Sequence, residues 1–169
     1  EQVHVRPTQR VVVVGGGKQG FLVAKALGRT GCDCIAVGRH AAKLSILERQ
    51  GIATRIADSH EGIAADVVVD CTGQPAGFAS ARAMVKPRGT LVLKSTFQGQ
   101  SEVNLTSIVV NETSVVGSRC GPFGPALRLL AMNLVDVESL VMATYSLDEA
   151  LAAFEHARTK GTLKVLLRP

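Results

Sequence analysis

Arg10-Val11-Val12-Val13-Val14-Gly15-Gly16-Gly17-Lys18-Gln19-Gly20 is the stretch on which the fold turns. A β-branched run ends in glycines spaced G-x-G-x-x-G, and apolar residues at helical spacing follow at once. This is the strand, turn and helix start of a βαβ unit that cradles a dinucleotide. Gly15 permits the tight turn, Gly17 lets backbone approach a pyrophosphate, and Gly20 lets helix and strand pack closely. The helix start then presents free N–H groups and a positive dipole end to the anion.

Working outward, the pattern alternates. Val11–Gly15 reads as a strand, and Lys18–Arg29 as a helix with Leu22, Val23, Ala26 and Leu27 on one face. Cys32–Val37 is a strand, Ala41–Arg49 a helix with Leu44 and Leu47 inward, and Ile52–Ile56 a short strand. The polar stretch Asp58–Gly62 and then Ile63–Ala65 lead to a strand at Asp66–Cys71. Ala76–Met84 is a helix with Pro75 favoured at its start. Pro87-Arg88-Gly89 reads as a turn, Thr90–Lys94 and Thr113–Gly117 as strands, and Pro122–Leu134 as a helix. Apolar strands alternating with helices describe a parallel sheet covered on both faces. The expected fold is α/β, a doubly wound Rossmann-type sheet in order 3-2-1-4-5-6, with the ligand crevice between strands 1 and 4. Six strands complete it. Residues 1–135 are therefore expected to form the dinucleotide-binding domain. Residues 136–169 form an α+β tail in another layer or domain, with a strand at Leu140–Ser146, a helix to about Ala157 and a strand at Leu163–Leu167.

Composition narrows the classes. A chain of 169 residues, 46% hydrophobic and 20% charged, can bury a core as a soluble globular protein. The net charge of +5 is scattered, without a basic run or interleaved aromatics, so no nucleic-acid partner is expected. It suits a small anionic ligand. No apolar run approaches the roughly 20 residues of a membrane span, and no signal peptide is visible. Cys32, Cys34, Cys71 and Cys120 lie on or beside the expected strands without metal spacing, and read as small buried thiols in a cytoplasmic protein. The histidines do not cluster with them, so no zinc site is expected within the chain. The chain opens on Glu1 rather than Met and is expected to be a fragment, or the back part of a longer protein.

Several segments, in order and spacing, resemble the C-terminal half of the medium-chain dehydrogenase/reductases, the zinc alcohol dehydrogenase-like superfamily. They are Val12–Gly20, Ala36-Val37-Gly38-Arg39, Asp66–Gly73, Pro87–Val92, Val116-Gly117-Ser118, Ser146–Ala150 and Gly161–Leu167. The resemblance covers nearly the whole chain. It implies that the tail is the returning piece of a GroES-like catalytic domain, whose larger N-terminal piece carries any catalytic zinc. It also implies hydride transfer between a nicotinamide cofactor and an alcohol or carbonyl substrate in the full-length protein. The isolated chain is expected to bind cofactor and be inactive. Family members often dimerise through strand 6, and a homodimer through Thr113–Gly117 is expected.

The candidate contacts follow. Gly15, Gly17, Lys18, Gln19 and Gly20 form the phosphate turn; Gln19 stands where many members carry a small apolar residue. NAD-binders commonly place an acid at the end of strand 2, where it holds the ribose hydroxyls. Here Gly38 replaces it, and Arg39 could bond a 2′-phosphate. Lys43, one helical turn on, occupies a position that contacts the adenosine ribose in the resembled family. NADP is therefore expected over NAD. Cys71, Thr72 and Gly73 should line the nicotinamide-side ribose. Lys94, Ser95 and Thr96 should border the nicotinamide, and Ser118 its carboxamide. Lys164 matches a basic residue that approaches the pyrophosphate. No catalytic set is complete: there is no Ser-His-Asp arrangement and no Tyr-x-x-x-Lys pair, and Tyr145 is the only tyrosine. A stand-alone NAD(P)-sensing module is the alternative. A methyltransferase would also use a glycine loop, but Gly38 argues against it, because such enzymes usually end strand 2 in an acid.

Overall fold

The computed structural model describes residues 2–57 and 62–169. Most of the expected connector Asp58–Gly62 lies outside the described residues.

Val11, Val12 and Val13 are fully buried because their strand is central. β1 (Arg10–Val14) pairs parallel with β2 (Asp33–Gly38) on one side and β4 (Ala65–Asp70) on the other. Successive side chains of a strand point to opposite faces. Val11 and Val13 therefore join Phe21, Ala24, Ala36 and Leu47 in one core layer, and Val12 and Val14 join Val37, Val68, Met84 and Leu91 in the other. Each Val, Leu, Phe or Met side chain among them contributes about 1.5–3 kcal/mol of burial free energy. With β3 (Ala53–Ile56), β5 (Val85–Leu93) and β6 (Ser114–Gly117), the sheet runs β3-β2-β1-β4-β5-β6, the expected order. The helices are α1 (Lys18–Gly28), α2 (Ala41–Glu48), α3 (Gly77–Ala83), α4 (Leu105–Val110) and α5 (Phe123–Ala131).

Four local expectations are corrected. The buried stripe of α1 is Gly20, Phe21, Ala24 and Lys25, while Leu22 is exposed; a buried lysine disguised the stripe. Pro87-Arg88-Gly89 is not a turn between elements but an irregularity inside β5. The register steps from Ala65↔Val85 to Val67↔Thr90, and Arg88 takes φ 62° while its N–H donates to the Asn111 carbonyl at 2.7 Å. The helix α4 had no counterpart in the sequence reading. Asn104 caps it by accepting from the Ser107 N–H at 3.0 Å. Finally, Cys120 is exposed and Cys32 only half-buried, so buried thiols describe Cys34 and Cys71 alone.

The tail forms its own parallel pair. β7 (Val141–Ser146) and β8 (Lys164–Arg168) are joined by α6 (Ala150–Arg158). Ser146 and Glu149 build the capping box that starts the helical turn, as the Ser-Leu-Asp-Glu order dictates. Leu140 and Leu163 sink into the α1-side core layer, which seats the tail against the large sheet. Arg29 Nε donates to the Leu134 carbonyl at 2.5 Å and Gln50 Nε2 to the Asp136 carboxylate at 2.6 Å, holding the connector.

Candidate dinucleotide-binding site

The carboxyl ends of β1, β2 and β4 open onto a cavity of about 450 Å³. Its floor is the glycine turn. The Gly15 N–H donates to the Val37 carbonyl at 2.8 Å, and Gly15 takes φ 125°, a conformation side chains rarely adopt. A Cβ there would also stand 2.6 Å from the Cys71 carbonyl oxygen, and one at Gly20 would overlap the Gly15 carbonyl. Both glycines are demanded by packing. Gly17 differs, because a Cβ there would meet nothing within 4 Å. It caps α1 without a side chain and lines the cavity, and the first turn of α1 carries no acidic residue. The first bond within α1 runs from the Phe21 N–H to the Gly17 carbonyl, so the amides of Lys18, Gln19 and Gly20 precede the helical ladder. Glycine backbone, open space and a helix N-terminus together fit a pyrophosphate.

The β2 wall carries Gly38, Arg39, His40 and Lys43. A Cβ on Gly38 would come within 3.2 Å of both Gly16 Cα and Leu44 Cδ2. The missing acid at this position therefore has a steric reason as well as an electrostatic one. Among the described residues, no carboxylate lines the cavity.

The opposite wall is ordered by Asp70, 2% exposed at the end of β4. Its Oδ1 accepts from the Thr72 N–H at 2.9 Å. The Gly73 N–H donates to Ser95 Oγ at 2.9 Å, and Ser95 Oγ in turn donates to the Asp70 carbonyl at 3.4 Å. A Cβ on Gly77 would collide with Thr72 Oγ1 and stand 2.8 Å from Asp70 Oδ1, so α3 can approach only through glycine. Burial, aided by Asp70, pushes the Cys71 thiol up to about 12, which leaves it a neutral packing group. Further along the edge, Lys94 Nζ donates to the Ser118 carbonyl and hydroxyl, both at 3.3 Å, and to the Arg119 carbonyl at 3.2 Å. Lys94 thus ties the end of β5 to the end of β6.

Of the expected contacts, Gly15, Gly17, Gly38, Arg39, Lys43, Cys71 and Thr72 line one cavity. Lys18, Gln19 and Gly20 continue its floor, and Gly73, Ser95, Lys94 and Ser118 form the adjoining hydrogen-bonded row. Thr96 is exposed, and Lys164 is exposed at the start of β8; neither lines the cavity. His40, Gln74 and Ser80 line it without having been singled out in the sequence. For His40 the signal was its adjacency to Arg39. Asp70 was hidden inside an apolar strand pattern. A second cavity of about 490 Å³ lies at the amino ends of β2 and β3; it exposes Asp33 and Asp136 and has no glycine turn, so it suits a phosphate poorly. Among the described residues no three His, Cys, Asp or Glu side chains are grouped to hold a metal, and no helix is long and apolar enough to cross a membrane.

A Rossmann sheet with a glycine turn at its switch point is the architecture on which dinucleotide-binding proteins are built. Residues 10–134 match the model of the zinc-binding dehydrogenase family, and the chain belongs to that family. It is 28% identical over 176 residues to a sorbitol dehydrogenase from Halalkalibacterium halodurans, covering 94% of this chain and 51% of that protein. A protein assigned as a zinc-binding dehydrogenase from Sinorhizobium meliloti 1021, solved bound to NADP, superposes with a TM-score of 0.88 at 24% identity, over 98% of this chain and 54% of that one. An alcohol dehydrogenase from E. coli CFT073, solved with NADH, gives 0.86 at 21% identity, over 97% and 53%. The chain spans about half the length of the curated relatives it matches.

Proposed function

We propose that this chain is the cofactor-binding half of an NADP-dependent oxidoreductase that interconverts an alcohol, such as a polyol, with its carbonyl. The observation that carries the reading is the cavity itself: a glycine turn open at Gly17, facing a wall of Arg39, His40 and Lys43 with no carboxylate among the described lining residues. When bound, the nicotinamide gives or takes the hydride. The residues hold the rest. The Gly15–Gly20 turn takes the pyrophosphate on backbone amides, Arg39 and Lys43 take the adenosine end, and Thr72, Gly73 and Ser95 frame the nicotinamide ribose. Lys94, Thr96 and Ser118 border the nicotinamide, and Lys164, outside the cavity at the start of β8, is the basic residue of the tail directed to the pyrophosphate in this reading. Both NADP and NADH occur in the structural neighbours, so the preference for NADP rests on the cationic wall. Among the described residues no side-chain group fits a catalytic zinc.

Residues 1–135 form the cofactor domain in this reading and residues 136–169 a returning piece of the catalytic domain. The family match ending at 134 and the separate β7-β8 sheet support that division. Four free cysteines suit a reducing compartment such as the cytoplasm. The exposed edge of β6 suits a homodimer. Titration with NADPH and NADH, read by nicotinamide fluorescence, tests the reading. Saturable binding with NADPH tighter is expected, and absence of binding by either cofactor overturns it.

A further inference from the structure

The second cavity, at the amino ends of β2 and β3, is lined by two thiols. Cys34 lies in β2 and Cys32 immediately before it. Side chains two positions apart on an extended chain share a face. Both thiols pack into the α1-side core layer, and both donate to α1: Cys32 Sγ to the Leu27 carbonyl at 3.5 Å, and Cys34 Sγ to the Ala24 carbonyl at 3.9 Å. Those carbonyls are one helical turn apart, so the sulfurs are held next to each other along the helix. Burial first, then the neighbouring Cys32, pushes the Cys34 thiol up to about 12. Neither cysteine lines the dinucleotide cavity.

The spacing selects what such a pair can hold. Two steps of an extended chain separate the Cα atoms by about 6.6 Å. That is close to the limit of about 6.8 Å at which a disulfide closes, so an atom bridging the two sulfurs fits better than a direct S–S bond. Zinc takes four ligands, and no third His, Cys, Asp or Glu is grouped with the thiols among the described residues. A soft cation satisfied by two thiolates remains, and Cu(I) is the one that sulfur ligands select. Two thiolates and Cu(I) carry a net charge of about −1 by simple valence. The charged side chains lining the cavity are Lys25, Arg29, Asp33 and Asp136. Asp33 is paired with Arg10 at 2.6 Å, and Asp136 lies 3.5 Å from Lys25. Arg29 donates to the Leu134 carbonyl and pairs with no carboxylate among the described residues, which leaves its positive charge to offset the complex. We propose that Cys32 and Cys34 form a two-coordinate site for a soft monovalent cation, Cu(I). Each sulfur forms one bond to the metal and releases its proton to solvent; the copper stays Cu(I) and no electron moves.

The test is an anaerobic titration of the full chain against Cu(I) held by bathocuproine disulfonate, a chelator whose colour fades as the protein takes the metal. The wild type should remove a single equivalent and gain a thiolate-to-copper absorption band in the near ultraviolet. Cys32→Ser and Cys34→Ser should each weaken uptake by at least roughly a hundredfold, the upper end of what losing a mere supporting contact costs a metal site. Cys120→Ser, exposed and outside the cavity, should match the wild type. Circular dichroism identifies any variant that fails to fold; Cys34 is buried, so the half-buried Cys32 carries the test if Cys34→Ser unfolds. No transfer from the chelator to the wild type, uptake unchanged in Cys32→Ser, or uptake lost in Cys120→Ser overturns the site. The NADP reading is independent of every one of these results.

Discussion

Lys25 Nζ donates to the Asp136 carbonyl oxygen at 2.6 Å, across 111 positions of sequence, and lies 3.5 Å from the Asp136 carboxylate. It also donates to Ser139 Oγ at 2.8 Å. The Lys25 side chain is only 3% exposed, and burial lowers its pKa against the pull of Asp136. An ammonium is tolerated there because the chain leaving the large sheet supplies its acceptors. The same helix starts at the glycine turn, so one element carries both the floor of the cavity and the seat of the tail. Lys25→Met should destabilise the protein by about 1–3 kcal/mol, the cost of losing a charged hydrogen bond and stranding its acceptors. Urea unfolding checks this, and a loss below the precision of the fit would show that Leu140 and Leu163 seat the tail alone.

Asp136 gives a pH signature. The Ser139 hydroxyl first, then the Ser139 N–H and the Lys25 charge, pull its carboxyl down to about 2. A group held below its unfolded value contributes stability above the ordinary carboxylate pKa near ~4 and loses it as pH falls through the folded value. Asp136→Asn should therefore cost stability at neutral pH and flatten the loss between about pH 4 and 2 relative to wild type. Thermal melts across that window decide it; parallel profiles for the two proteins would contradict the assignment.

Gly17 and Gly20 should differ in what a side chain does to stability. Gly17→Val points into the open cavity and should abolish dinucleotide binding while circular dichroism stays native. Gly20→Ala drives a methyl into the Gly15 carbonyl, so it should lower stability and binding together. Retained cofactor affinity in a folded Gly17→Val would mean that the turn is purely structural.

How far the sequence could be read depended on whether the deciding physics was local. The strand order was legible because apolar strands alternate with helices along the chain, and the tight turn after β1 because the glycine spacing states it within eleven residues. The α1 stripe was misread because Lys25 finds its acceptors in Asp136 and Ser139, which no local periodicity reveals. Arg88 at positive φ looked like a turn, but the carbonyl that captures its N–H belongs to Asn111. The six-residue α4, in a β-branched Ile-Val-Val context, shows no helical signature beyond its Asn104 cap. In the site, Gly38 was noted for its missing charge, and its crowding by Gly16 and Leu44 appears only in three dimensions.

Arg39→Ala should weaken NADPH binding by about 1–3 kcal/mol, as for a lost charge-assisted hydrogen bond, and barely change NADH. Arg39 is exposed, so the lower part of that range is expected. The measurement is a pair of titrations on one preparation. Equal losses for the two cofactors would place Arg39 near a part they share, such as the adenine, and remove its role in selection.

Val115 sits on β6, the edge strand, paired on one side with Leu91 of β5 and 39% exposed. An uncovered apolar edge offers a row of free N–H and C=O groups, and an antiparallel copy about a two-fold axis would satisfy both rows at once. In α5, the next helix in sequence, Phe123 and Leu127 are 77% and 49% exposed. Closing such an interface over a lysine would desolvate its charge. Val115→Lys should therefore shift a concentration-dependent dimer toward monomer in sedimentation equilibrium. It should leave NADPH affinity unchanged, because Val115 lies outside the cofactor cavity. A wild type that stays monomeric at every concentration, or a dimer indifferent to Val115→Lys, would take β6 out of the assembly.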